Sequence, residues 1–502
     1  VAVVGAGIAG LAAAWELSGG AAGPGPDSPD VVLLEAGSRP GGRLEAGPLE
    51  GRLVDWAADG FLARRPEATE LCREVGLEGS LRPVGAQGAS VFARGRPRPL
   101  PPGLVLGVPT RWRPLARSGV LGARGSLRAL RDVVAPRPDV RRPLGDRAVG
   151  PMVAHKLGQR VVDVLVDPML GGIHAGAVAD MSAAATFPLL LAVAQRRGGF
   201  MRSLRGALRR GGSPGLGLPA AGTASPSPAP DGPAFYALEG GMPALVEALR
   251  SALEARGVRL RTGCPVQTLG REGPAPWTVH TGGAPVPADA VVLALPAGPA
   301  ADLLAPHDAE ASTLLRGIEY ASVAVVSLAY PPDAVPPDLY GTGLLVPRGT
   351  ALPGLEGPAR VTAVTYLSRK WPHLADDGRV LLRASVGRAG EEEALALGDD
   401  DLVARVTEEL GLLVGTTGAP RAAAVHRAGA ALPQYKVHHL LRVAGIEAAV
   451  RRLPPLAVAG AAYRGVGIPA CVASGRAAAV TVRQALAEVV TGGAGPGAQP
   501  DR

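Results

Sequence analysis

The sequence predicts a mixed α/β fold: a Rossmann-like dinucleotide-binding domain assembled from distant segments of one chain, with a β-rich domain and a helical subdomain between those segments. Three observations carry this prediction. First, Val1-Ala2-Val3-Val4 runs into Gly5-Ala6-Gly7-Ile8-Ala9-Gly10, a helix-forming run Leu11–Leu17, a second apolar run Val31–Leu34, and then Glu35. That order is strand, glycine turn, helix, strand, acid. Second, Ala290–Leu295 is fully apolar, as strands buried in parallel sheets are. Third, Leu456–Gly460 reads as another strand entering a glycine turn, followed by a long helix ending near Val490. Its distance from residue 1 makes the dinucleotide domain discontinuous.

Each part of the opening unit has a physical reason. Gly5 permits the tight turn, Gly7 lets the backbone approach a pyrophosphate, and Gly10 lets the helix lie close on its strand. Ile8 and Ala9 start the helix, whose unpaired N–H groups and partial positive charge face the phosphates. Glu35, with Ala36 after it, stands where a carboxylate accepts from ribose hydroxyls. Gly41-Gly42-Arg43 adds a second glycine stretch with a cation. A nicotinamide site does not require one, whereas an extended FAD needs more donors and a counter-charge, for which Arg43 is the candidate. The plainer alternative is a glycine turn with a surface arginine. Val54–Phe61 reads as the return of the chain beneath an isoalloxazine ring, with Ala58, Asp59 and Gly60 closest to it.

Further along, Pro66–Val75 reads as a helix with Leu71, Cys72 and Val75 on one face. Leu100–Pro109 is an apolar loop that either lines a channel or touches a membrane, or else packs among helices. Val161–Leu170 reads as a buried helix leading to Gly171-Gly172-Ile173-His174-Ala175-Gly176. Residues 202–234 are low in complexity and read as a disordered insertion. Order returns at Phe235–Pro243, followed by a helix over Ala244–Arg256 and strands at Val258–Arg261 and Pro265–Leu269. A second β-rich section runs from Val323–Tyr330 through Gly341–Pro347, Arg360–Ser368 and Arg379–Val386, and a helix follows over Asp400–Leu413. The division is 1–75, 235–300 and 451–490 for the dinucleotide domain, 76–234 for the helical membrane, channel and substrate subdomain, 301–450 for the β-rich substrate domain, and 491–502 for a mobile tail.

Composition narrows the function. A chain of 502 residues with 47% hydrophobic content supports two or three cores. No apolar stretch reaches the ~18–20 residues that span a bilayer, and no signal-peptide pattern is present. Cys72, Cys264 and Cys471 are odd in number and far apart, which fits a reducing cytosol. The net charge is +8, but among 52 basic residues only Lys156, Lys370 and Lys436 are lysines; with 70 Gly and 49 Pro this resembles GC-rich codon usage. The basic residues form no stripe interleaved with aromatics, so no nucleic-acid partner is expected. The eight histidines have no metal-ligand spacing, and no metal is expected. Gly211-Gly212-Ser213-Pro214-Gly215 matches a nucleophile elbow in letters but lacks the strand before it. Lys370 and His174 could each act as a base, with a structural role as the plainer alternative. The residues alone lead to an FAD-dependent oxidoreductase of unknown substrate.

Several stretches together resemble the flavoprotein family of coproporphyrinogen III and protoporphyrinogen oxidases, within the amine-oxidase superfamily. They are Gly171–Gly176, Ser368-Arg369-Lys370-Trp371-Pro372, Leu432-Pro433-Gln434-Tyr435 with His439, and Gly460–Pro469 with Ala473-Ser474-Gly475-Arg476. The resemblance is strongest to the actinobacterial-type branch. It implies oxidation of a porphyrinogen by three two-electron transfers to FAD, with oxygen as acceptor and hydrogen peroxide as product, in haem synthesis. By position it implies that Glu35 holds the adenosine ribose and that Val266 meets the adenine through its backbone. Gly460, Tyr463, Val466, Gly467 and Ile468 would frame the flavin, Trp371 would stack on a pyrrole, and the Gly172 carbonyl would assist proton removal. It leaves room for peripheral membrane contact and for a downstream enzyme of haem synthesis as partner. Three positions depart from the family pattern: Ser90 replaces an arginine proposed to pair with a propionate, His438 a glycine, and Ala462 an asparagine. Arg94, Arg369 and Lys370 are the remaining candidates for the substrate carboxylates. The alternatives are a flavin amine oxidase and a non-catalytic FAD-fold binding protein.

Overall fold

Two buried apolar triplets, Ala2–Val4 and Val32–Leu34, seed a parallel sheet, with Ala2 opposite Val32. In the computed structural model, which describes the chain apart from residues 27, 135–144, 195, 197, 211–231, 376–377 and 493–502, three distant strands join them. The order is Arg259–Arg261, Val32–Leu34, Ala2–Val4, Val291–Leu293, Leu456–Val458, every pair parallel. These runs are continuously apolar because both faces are covered. Val3, Leu33 and Val292 pack toward helices Ile8–Leu17, Pro243–Ala255 and Ile468–Gly492. Ala2, Val4, Val32 and Leu293 pack the other way, against Trp277 and helices Ala297–Leu304, Ala309–Arg316 and His439–Val450. Gly5, Glu35, Ala294 and Gly460 all follow strands at the carboxyl edge, where ligands of such sheets bind.

A second sheet has seven strands in the order Ala422–Pro433, Tyr320–Tyr330, Val380–Val386, Val361–Tyr366, Gly343–Leu345, Ser90–Ala93, Arg96–Pro99. It is antiparallel except where Gly343–Leu345 runs beside Ser90–Ala93. Helix Asp399–Leu413 covers one face with Leu402, Val406, Leu410 and Leu413, and its three leading aspartates suit the positive end of the helix dipole. The third body is helical: Val149–Leu157, Val162–Gly171, Pro188–Ala194 and Phe200–Arg209 share one apolar core.

Several expectations change in detail. The 90–99 hairpin lies in the seven-stranded sheet although the sequence division grouped it with the helices. The stretch read as a disordered insertion, 202–234, opens in helix Phe200–Arg209, because Phe200, Met201, Leu204 and Ala207 recur at helical spacing and are buried. Residues 211–231, with the Gly-x-Ser-x-Gly letters, lie outside the described residues. Of the 491–502 tail, residues 491 and 492 end helix Ile468–Gly492 and 493–502 lie outside the described residues. Leu100–Pro109 forms a short hairpin, with Val108 fully buried and Leu100, Leu104, Val105 and Leu106 packed on the helical core. Among the described residues no helix is long and apolar enough to cross a membrane.

Candidate functional site

The opening turn is closed by protein on one side and open on the other. Gly5 has φ +96°, and a Cβ on Gly10 would lie 1.9 Å from the Gly5 carbonyl oxygen. At Gly7 a Cβ would meet nothing within 4 Å. Helix Ile8–Leu17 starts at Gly7 with no side-chain cap, so its first-turn N–H groups are available to an anion. Glu35 is held at the rim: one carboxylate oxygen accepts from the Ala6 N–H and the other from the Gly37 N–H, both at 2.8 Å. Ala36 beside it is exposed. The second glycine stretch lies over the first, with the Gly41 N–H donating to Ala6 O at 2.7 Å and Gly42 against Gly7. Val266 follows Cys264, whose N–H donates to Glu35 O at 2.8 Å.

The carboxyl-terminal unit completes this rim. Gly460 has φ +121° and open space where a Cβ would be, and its N–H donates to Ser474 Oγ at 3.0 Å. A Cβ on Gly475 would lie 2.0 Å from Ala9 O, so helix Ile468–Gly492 packs directly on the first turn of helix Ile8–Leu17. Val466 is half-buried, Gly467 exposed and Ile468 buried at the helix start. An open glycine cradle, uncapped helix N–H groups and a fixed carboxylate fit a bound dinucleotide.

Other expected cofactor residues are engaged by protein groups. Arg43 donates to Gly429 O at 2.6 Å on the second sheet, so its guanidinium bridges two domains. Tyr463 is 3% exposed and offers no ring face; only its backbone lines the turn. Asp59 is buried and fully engaged by protein: Lys370 Nζ donates to both its oxygens at 3.0 Å, Trp371 Nε1 donates at 2.9 Å, and Arg383 Nη2 lies at 3.2 Å. Burial alone would raise the Asp59 pKa, but Arg383 and Lys370 hold it well below the usual carboxylate range. At Gly60 a Cβ would lie 2.6 Å from Tyr236 O and 2.8 Å from the Trp371 ring, so the chain packs closely on protein here. Ala58 stays half-buried beside this cluster.

Trp371, expected to stack on a pyrrole, is 1% exposed and packed against Leu49, Val54 and Leu381. Enclosed so, it presents no face to a substrate, and Lys370 is occupied by Asp59. Of the other cations, Arg369 donates to Pro337 O and Arg94 is exposed in a hairpin turn at φ +57°. Gly172 behaves differently. It is exposed, directly after helix Val162–Gly171, which is wound as a π-helix around Pro168. Such windings are frequent at functional sites, as are non-glycine residues at positive φ, and Ala175 has φ +46°. Burial pushes His174 down to about 4, with His439 adding to it, so the ring is neutral near pH 7. Among the described residues no group of three His, Cys, Asp or Glu could hold a metal ion.

The family described as flavin containing amine oxidoreductase matches residues 8–483. The chain belongs to this family. It is a flavoprotein oxidoreductase, and its relatives assign it to the branch of coproporphyrinogen III and protoporphyrinogen oxidases. It is 30% identical over 480 residues to the coproporphyrinogen III oxidase of Bacillus subtilis (strain 168), covering 95% of this chain and 96% of that one. It is 35% identical to the coproporphyrinogen III oxidase of Propionibacterium freudenreichii subsp. freudenreichii, covering 94% and 89%. A crystal structure from Exiguobacterium sp. 255-15, assigned as a protoporphyrinogen oxidase, superposes with a TM-score of 0.81 at 29% identity, covering 96% of this chain and 98% of that one.

In this flavoprotein the sequence motifs found the rim of the sheet but missed Arg383 and Asp55. Asp55 lies inside the Val54–Phe61 stretch but carried no signal of its own there; Arg383 sits in no motif, and its signal is a charge inside the apolar strand Val380–Val386, where a buried cation needs a partner.

Proposed function

We infer that this flavoprotein oxidises a porphyrinogen to its porphyrin in haem synthesis, with coproporphyrinogen III as the preferred substrate, FAD as the flavin and dioxygen as terminal acceptor. Three two-electron steps convert one porphyrinogen and three dioxygen molecules into one porphyrin and three hydrogen peroxide molecules. Bound FAD supplies the two-electron chemistry. The chain's own residues bind and orient: the helix start at Gly7–Ala9 and Glu35 hold the dinucleotide, and the carbonyl of the exposed Gly172, which accepts only a long 3.4 Å bond from the Ala175 N–H, is the candidate acceptor for the proton released with each electron pair.

The observation that carries this reading is a junction. The Gly171–Gly176 loop and the Gly460–Ile468 turn, which the resemblance associates with substrate and flavin, meet through Tyr435: its ring touches His174, and its hydroxyl bonds Ala461 and Gly465. The similarity to coproporphyrinogen III oxidases over nearly the whole chain supports the same conclusion. A second reading, protoporphyrinogen IX as substrate, is favoured by 30% identity to the protoporphyrinogen oxidase of Macaca fascicularis. An amine oxidase is disfavoured by the enclosure of Tyr463, which leaves the turn without an aromatic cage.

The test is oxygen uptake and peroxide release by the purified yellow protein with each porphyrinogen. Faster turnover of coproporphyrinogen III is expected. A colourless protein, or turnover of an amine and of neither porphyrinogen, overturns the reading.

A further inference from the structure

We propose that Tyr435 is a positioning residue for this reaction: through its hydroxyl it sets the width of the flavin-side turn and its registration against the Gly171–Gly176 loop. The proposal rests on the function inferred above for its kinetic consequence, but its geometry stands independently.

Two backbone groups of the turn converge on one atom. The Tyr435 hydroxyl donates to Ala461 O at 2.5 Å and accepts from the Gly465 N–H at 2.7 Å. These groups are four residues apart in a segment without helix or strand, bounded by Gly460 at φ +121° and Gly465 at φ +145°. With no ladder to fix it, the span of the turn follows from where that oxygen sits. The oxygen is itself fixed: Tyr435 is 2% exposed, its carbonyl accepts from the Ser182 N–H at 2.8 Å, and its ring stacks on His439 at 3.9 Å and 15°. His439 adds a second tie to the turn, its Nε2 lying 2.8 Å from Tyr463 O.

The same ring cluster holds the other loop. His174 lies 5.4 Å from the Tyr435 ring. The neighbouring Gln434 donates to His174 O at 2.8 Å, and Ala389 N–H donates to Ala175 O at 2.7 Å. A Cβ at Gly176 would lie 2.4 Å from Gln434 Oε1, so the loop packs directly on Gln434 with no room for a side chain. Gly172, two residues before His174, is left exposed at the end of a segment gripped from both sides. Burial lowers both histidines to about 4, so the stack is neutral at working pH and transmits position rather than charge.

Contrast within the fold separates this role from ordinary packing. Tyr330 is as buried as Tyr435 but lies in the core of the seven-stranded sheet, away from both loops. Tyr435→Phe and Tyr330→Phe in the full-length holoenzyme each delete one buried hydroxyl and keep the ring. At a temperature well below both melting midpoints, Tyr435→Phe is expected to lower kcat about tenfold with KM changed less than about threefold, since both bonds that pin the turn are lost and each is worth roughly that factor. It should also shift the visible absorption of the bound flavin, which reports the turn directly. Tyr330→Phe should change neither. Wild-type kcat and an unaltered flavin spectrum in Tyr435→Phe overturn the proposal, as does an equal kcat loss in Tyr330→Phe. If the wild type turns over no porphyrinogen, the inferred function fails, and the flavin spectrum alone decides on Tyr435.

Discussion

At the carboxyl edge of the parallel sheet the groups left open are mostly backbone: N–H groups at Gly7–Gly10 and the open space over Gly7 and Gly460, beside the one Glu35 carboxylate held by two main-chain donors. At the Asp59 carboxylate every contact is with a side chain, and those partners lie 311 or more residues away in sequence. The difference has consequences for both recognition and stability. Backbone donors carry no net charge, so the rim tolerates solvent until a ligand arrives. A buried carboxylate among two cations is stable only while all partners are present.

The largest expected effect therefore falls on the side-chain region. Asp59→Ala leaves Lys370 and Arg383 buried without their counter-charge and should destabilise the protein by about 3–5 kcal/mol in urea unfolding. Flavin content per folded molecule should hardly change. Lost flavin with unchanged stability would return Asp59 to the cofactor site. Next comes Gly10→Ala, whose Cβ has no room beside the Gly5 carbonyl. A shift of helix Ile8–Leu17 away from its strand should cost about 1–3 kcal/mol and remove the flavin as well. Here stability and cofactor fall together, which is the signature of a position where packing and binding share the same atoms.

Legibility followed the same division. Tight turns and close approaches admit few residue types, so Gly5, Gly7, Gly10 and Glu35 announced the rim within one local stretch. The Ala422–Pro433 strand went unread because its alanines lack β-branched alternation, and it is a strand only through pairing with Tyr320–Tyr330. Trp371 was read as a stacking platform because its chemistry suits one; nothing local reveals that Asp59 takes its N–H. Tyr435 was visible as a motif letter, but its two-sided grip needs the Ala461–Gly465 turn brought beside it in space.

A smaller effect distinguishes the two carboxylates of the Asp55–Asp59 stretch. Burial pushes Asp55 up to about 7; the Met242 N–H opposes this, Asp59 adds to it, and Arg383 and Lys370 counter it. Because the folded pKa lies above the ordinary aspartate value of about 3.8, the stability linked to Asp55 is fully present below about 3.8 and is lost as pH rises through about 7. Asp59 has the opposite sign: its contribution is present above the usual carboxylate range and lost in acid. Unfolding free energy measured from pH 4 to 8 should thus decline more steeply in the wild type than in Asp55→Asn. Identical slopes would mean that water reaches Asp55 and that this region is less closed than its contacts indicate.

The smallest effect on stability belongs to Gly7→Ala, and it isolates the rim. Gly7 has φ −65° and ψ 171°, ordinary values for an L-residue, and its Cβ would meet no protein atom within 4 Å. Alanine is a poorer helix N-cap than glycine but loses less chain entropy on folding, so the flavin-free variant should match the flavin-free wild type within about 1 kcal/mol. The added methyl nevertheless occupies the space in front of the helix N–H groups, where a pyrophosphate must come close. Flavin affinity, measured by titration into the apoprotein, should fall sharply while the apoprotein melts as before. Only a space reserved for a ligand gives that pairing. If Gly7→Ala binds flavin normally, the pyrophosphate is held farther along the rim and the Gly41–Gly42 stretch becomes its main contact.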